Sequence, residues 1–142
     1  MIIKQLTVFL ENKKGRLTEV TKVLSNNKIN ISALSIADTA DFGLLRMIVD
    51  NPEKAEEQLK SSGFAVHVNE VICMIVPDEP GGLYRALEIL TNADIGIEYL
   101  YAFSSENKKA SVVIRTDEVQ KTIDILQENQ IQLIKANQLY KL

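Results

Sequence analysis

The sequence predicts an α+β fold made of two β-α-β-β-α-β units in tandem, each with its helices on one face of an antiparallel sheet. Three observations carry this. The segment GRLTEVTKVLSNNKINISALS, starting at Gly15, aligns without a gap to GGLYRALEILTNADIGIEYLY, starting at Gly81. Identities fall at Gly15/Gly81, Leu17/Leu83, Leu24/Leu90, Asn26/Asn92, Ile29/Ile95, Ile31/Ile97 and Leu34/Leu100, mostly turn residues and positions that should face a core. In both copies, apolar patterning alternates between the period of a strand and that of a helix. With only two copies at this long period, the chain is a pair of domains, because solenoids need more and shorter repeats.

The elements follow in order. Leu6, Val8 and Leu10 alternate with Thr7 and Phe9 as a first strand, which Asn12 and Gly15 break. Leu17, Val20, Val23 and Leu24 recur at helical spacing, giving a helix over about Gly15 to Asn27. Ile29, Ile31 and the run to Ala37 make a second strand, Asp38 to Asp41 a polar turn, and LLRMIVD a third strand that pairs back as a hairpin. Asn51 followed by Pro52 starts the second helix, since Asn caps free amides and proline is preorganised for the first helical position. Gly63 ends that helix, and FAVHV makes a fourth strand. The second half repeats the order with VICMIV, Gly81 to Ala93, IGIEYLYAF, ASVVIRT, Asp117 to Asn129 and IQLIKANQL, its last helix presenting Val119, Ile123 and Leu126 on one face. This order is the ferredoxin-like arrangement. The expected domains are residues 1–69 and 70–142, with the boundary near Asn69 to Val71 and no flexible linker.

Composition narrows the function. Of 142 residues, 46% are hydrophobic and 25% charged, which suits a packed soluble core. The net charge of -3 gives no basic footprint for nucleic acid. No run approaches the length of a membrane helix and the start is charged at Lys4 and Glu11, so neither insertion nor export is expected. One cysteine, Cys73, fits a reducing compartment, and the protein is placed in the cytoplasm.

The turns LENKKGRL and VPDEPGGL each place an Asn or Asp and then a Gly before a helix whose first amides lack internal partners. Such a turn suits a carboxylate or other anion; the competing reading is a tight turn with an ordinary cap. Gly81 and Gly82 fit neither a P-loop nor a GxGxxG pattern. His67 is expected at solvent or an interface and Cys73 in the core, while Glu53, Glu56 and Glu57 read as a solvated helix face. Tyr99, Tyr101 and Phe103 share one strand face, for packing or for stacking on a ligand. No metal-ligand spacing, nucleophile-base pair or acid-base pair is visible, so no cofactor and no catalysis are expected.

The segments ENKKGRLTEVTKVLSNNKINISALSIADTADFG and VPDEPGGLYRALEILTNADIGIEYLYAF resemble tandem ACT domains over essentially the whole chain. The recurring pattern is a strand, an Asn or Asp, a Pro-Gly-x-Leu turn, a helix, and an Asn-Ile or Gly-Ile opening the second strand. The resemblance implies a regulatory module that binds an amino acid where two domains meet. By position, it implies that Asn12 is the turn residue that contacts ligand in serine-sensing members, that Gly15, Arg16 and Leu17 open the helix beside it, and that Asn30, followed by Ile31, is a second contacting amide. In the other half Asp78, Gly81, Gly82 and Leu83 occupy the same turn and Ile97 follows the second strand's start. Lys14 stands where the pattern has proline, Gly96 replaces the asparagine represented by Asn30, and Leu10 stands where serine-sensing members have histidine. The two sites should therefore differ. An amino acid needs donors for its carboxylate and acceptors for its ammonium, which a helix start and Asn, Asp or strand carbonyls supply. The leading expectation is a homodimeric amino-acid sensor. The alternative is a regulatory subunit partnered with a biosynthetic enzyme, because LENKKGRL followed by NISALSIADT also resembles the small subunit of acetolactate synthase.

Overall fold

The computed structural model describes residues 1–38 and 41–140; Thr39 and Ala40, in the predicted polar turn, lie outside the described residues. The chain divides into two units. The first comprises Lys4–Asn69 with the described residues from Asn137 onward, and the second Glu70–Ala136 with Met1–Ile3.

In the first unit the strands are β1 (Ile3–Glu11), β2 (Ile31–Asp38), β3 (Phe42–Val49) and the opening of β4 (Ala65–Pro77), in the order β2-β3-β1-β4. β3 runs antiparallel to both neighbours, with Leu6 opposite Met47 and Leu34 opposite that same Met47. Alternation in β1 sends Leu6, Val8 and Leu10 to one face, where they meet Val20 and Leu24 of α1 (Arg16–Asn26) and Ala55 and Leu59 of α2 (Pro52–Ser61). α2 starts as its sequence predicts. The Asn51 side chain accepts a hydrogen bond from the Lys54 amide at 3.2 Å, Pro52 takes the first helical position, and Gly63 at φ +90° follows the last turn.

The second unit holds the rest of β4, α3 (Gly82–Asn92), β5 (Ile97–Ser105), β6 (Lys109–Thr116) and α4 (Val119–Glu128), with strands in the order β4-β6-β5. Ile72, Met74, Val76, Val112 and Ile114 pack against Ala86 and Leu90 of α3 and Ile123 and Leu126 of α4. The expected strand over IQLIKANQL is much shorter than its pattern suggested. It narrows to an isolated antiparallel bridge between Met74 and Leu133, where the Ile75 amide donates to the Gln132 carbonyl and the Ile134 amide to the Cys73 carbonyl, both at 2.9 Å. Apolar alternation lapses after Ile134, and Ala136–Leu139 instead form a one-turn helix, α5, that buries Leu139. β4 is longer than expected, a single strand of 13 residues in which the two strands read on either side of Asn69 merge.

The sheet faces opposite the helices are also buried at Gln5 and Thr7 in the first unit and at Cys73, Ser111 and Val113 in the second. Burial pushes the Cys73 thiol up to about 12, which keeps it protonated and unreactive at neutral pH. No helix among the described residues is long and apolar enough to cross a membrane.

Candidate functional site

The two helix-opening turns share one backbone path. Gly15 and Gly81 sit in the left-handed region at φ +88° and +87°, with ψ −8° in both, a conformation that glycine adopts without a Cβ clash. Neither α1 nor α3 has a side-chain cap, so the ordinary-cap reading of Asn12 and Asp78 does not hold. Each turn is instead tied to the neighbouring hairpin, through the Asn12 amide to the Asp41 carbonyl at 3.4 Å and the Asp78 amide to the Lys108 carbonyl at 2.8 Å.

Beyond the backbone the turns diverge. In the first unit a hollow of about 170 Å³ is lined by Leu10, Glu11, Asn12, Lys13, Arg16, Leu17, Ile36, Asp38 and Gly43. Arg16 Nη1 donates to Glu19 at 2.8 Å and the guanidinium lies over the Phe64 ring at 4.7 Å, while its buried Nε has no partner. Glu11 is paired with Lys13 at 2.9 Å; this hydrogen bond, then the Lys13 charge and the Arg16 charge, lower its pKa. In the second unit Gly82 takes the place of Arg16 and packs so closely on the preceding strand that a Cβ would overlap the Pro77 carbonyl oxygen. Arg85 reaches back to Glu79 at 2.8 Å and lies beside Gly81.

The predicted residues therefore part company. Asn12, Arg16 and Leu17 line one hollow with Gly15 at its hinge, whereas Asn30 and Ile31 lie at the opposite end of the same sheet. Ile31 pairs with Val49 at one end of β3 and Glu11 with Phe42 at the other, a separation of about 20 Å at strand spacing. The Asn30 amide donates to the Asp50 side chain at 3.0 Å, and the Gly96 amide makes the same bond to Asp117 at 3.0 Å. Asp78, Gly81 and Gly82 form the second turn; Leu83 packs on the second core, and Ile97 is exposed. Sequence reading missed Glu11, Lys13, Ile36 and Asp38 as neighbours of Asn12. Glu11 and Lys13 flank Asn12 in the chain, and β1 and β2 run in the same direction on either side of β3, which puts Ile36 and Asp38 at the same end of the sheet as Asn12. Among the described residues no group of three or more His, Cys, Asp or Glu is placed to hold a metal ion.

The ACT domain pair family matches the chain over residues 1–142. The chain belongs to this family. ACT domains are regulatory modules, and membership in the family gives this ACT pair a regulatory role. It is similar to a protein from Bacteroides thetaiotaomicron of known structure, at 48% identity over 100% of this chain and 98% of that one, with a TM-score of 0.95. The regulatory subunit of aspartate kinase from Thermus thermophilus, in its ligand-free form, shares the fold at 14% identity, covering 88% of this chain and 91% of that one with a TM-score of 0.66. A structure of aspartokinase alpha and beta subunits shares it at 14% identity, over 89% and 95% of the two chains, with a TM-score of 0.58. No curated protein matches the ACT pair.

Proposed function

We propose that this ACT pair is an amino-acid sensor that holds a small amino acid against the Asn12–Leu17 turn, where the β2 edges of two copies meet, and performs no chemistry of its own. The observation that carries this reading is the uncapped turn, which opens onto a hollow lined by both signs of charge: Arg16 for a carboxylate and Asp38 for an ammonium, beside the Glu11–Lys13 ion pair. A free amino acid needs both. β2 is an edge strand with Leu34 and Ile36 exposed, a surface that a second copy would cover.

The distance between Asn12 and Asn30 supports a two-copy site. A small ligand cannot touch two residues about 20 Å apart in one sheet. Two β2 edges related by a two-fold axis run antiparallel, which brings the Asn30 end of one copy toward the Asn12 end of the other. Binding would then tighten the pair, because the ligand favours the assembled arrangement over the separated one.

The test is a thermal-shift screen of the common amino acids at millimolar concentration. At least one is expected to raise the melting temperature, since a ligand at 100 times its Kd adds about 2.7 kcal/mol. No shift with any of them would sink the sensor reading.

A further inference from the structure

We infer that the ACT pair binds one ligand per chain, an α-amino acid with an aliphatic side chain, anchored through its carboxylate by Arg16. This rests on the sensor reading and goes further by naming the ligand class, the anchor and the stoichiometry.

The hollow divides into two kinds of wall. One is charged, made by Arg16 and Asp38, with Glu11 and Lys13 already neutralising each other at 2.9 Å. The other is aliphatic, made by Leu10, Leu17 and Ile36, the last two exposed by 39% and 47%. An α-amino acid with an aliphatic side chain meets both. Its carboxylate takes the guanidinium, its ammonium takes Asp38 and the Asn12 amide oxygen, and its side chain covers apolar surface now facing water. A serine or aspartate side chain would instead turn polar atoms onto three aliphatic residues that offer no hydrogen bond.

Arg16 is prepared for this role. The Phe64 ring and Glu19 hold the guanidinium from its face and from Nη1, so little freedom remains to be lost on binding. Its Nε is buried without a partner. The second turn has lost this anchor. Gly82 replaces Arg16, and the Gly82 amide donates to the Glu79 carbonyl at 3.0 Å. In the first unit the matching internal bond, from the Arg16 amide to the Lys13 carbonyl, is 3.4 Å long.

Isothermal calorimetry on the full chain tests this with L-leucine, L-isoleucine and L-valine against L-serine, L-aspartate and L-lysine. The expected result is tighter binding of the aliphatic group, one ligand per chain, and affinity at least tenfold weaker in Arg16→Gln. Arg85→Gln, in the other turn, controls for general loss of charge and should bind as the parent does; the folding of each variant is checked by circular dichroism. Tighter binding of a polar amino acid, two ligands per chain, or unchanged affinity in Arg16→Gln would overturn this inference while leaving the sensor reading intact. No heat with any amino acid would overturn both. Should Arg16→Gln fail to fold, Ile36→Asp carries the test, because it must erase the aliphatic preference.

Discussion

Gly15 and Gly82 are both glycines of a helix-opening turn, yet different physics demands each. Gly15 has open space where a Cβ would go, but its φ of +88° lies in the left-handed region. Alanine there would cost about 1–2 kcal/mol of backbone strain. Gly82 has no such strain, and its constraint is contact with the Pro77 carbonyl, so Gly82→Ala must lift the start of α3 off its strand at about 2–3 kcal/mol. Urea denaturation of the two variants should therefore rank Gly82→Ala below Gly15→Ala in stability; the reverse order would mean that the close approach relaxes cheaply. The sequence showed glycine at both places and a helix after each. It did not show that Arg16 would rest on Phe64, since a stacking partner that far along the chain leaves no mark in local spacing.

Among the elements, α2 and α4 show how one fold tolerates two chemistries in its core. In the second unit Thr116 of β6 and Thr122 of α4 are buried and share a hydrogen bond of 2.7 Å between their hydroxyls, and Thr122 donates to the Glu118 carbonyl at 2.7 Å. The matching positions of the first unit are Val49 and Ala55, equally buried and apolar. Thr122→Ala alone strands the Thr116 hydroxyl and should cost about 1–3 kcal/mol. Thr116→Val together with Thr122→Ala copies the first unit and should recover most of that loss, which a double-mutant cycle in urea measures. Additive losses would show that the hydroxyl pair is not the coupling. Helix α4 itself was legible from Val119, Ile123 and Leu126, but a buried threonine reads as a surface residue in any hydrophobic pattern. The fourth strand of the second unit was misread for a related reason. Ile131 and Leu133 supply two apolar positions of correct phase, and two positions support a bridge without extending it to a strand.

At the scale of the whole molecule, the duplication was legible because both copies keep their turns and core positions in step. The exchange of ends was not, since Met1–Ile3 and the residues after Ala136 lie outside the aligned repeat. Each unit is completed by a segment from the far end of the chain: Leu139, fully buried, and Tyr140, whose hydroxyl accepts from the Lys4 amide at 3.1 Å, belong with the first unit. Unfolding should therefore be one cooperative transition, and Leu139→Ala should shift all of it by about 2–4 kcal/mol. Two resolved transitions, or loss confined to one of them, would show that the units melt independently.

Exchanged ends also bear on how such a protein is inherited. A plain gene doubling leaves two copies, each carrying its own beginning and end, and recombination can lift out either one. Here a cut at Asn69 would strip the first unit of its closing helix and the second of its opening residues, so neither fragment is a whole copy of the ancestral module. The smallest transferable piece is the pair. That accords with a family defined over the pair and matched across all 142 residues.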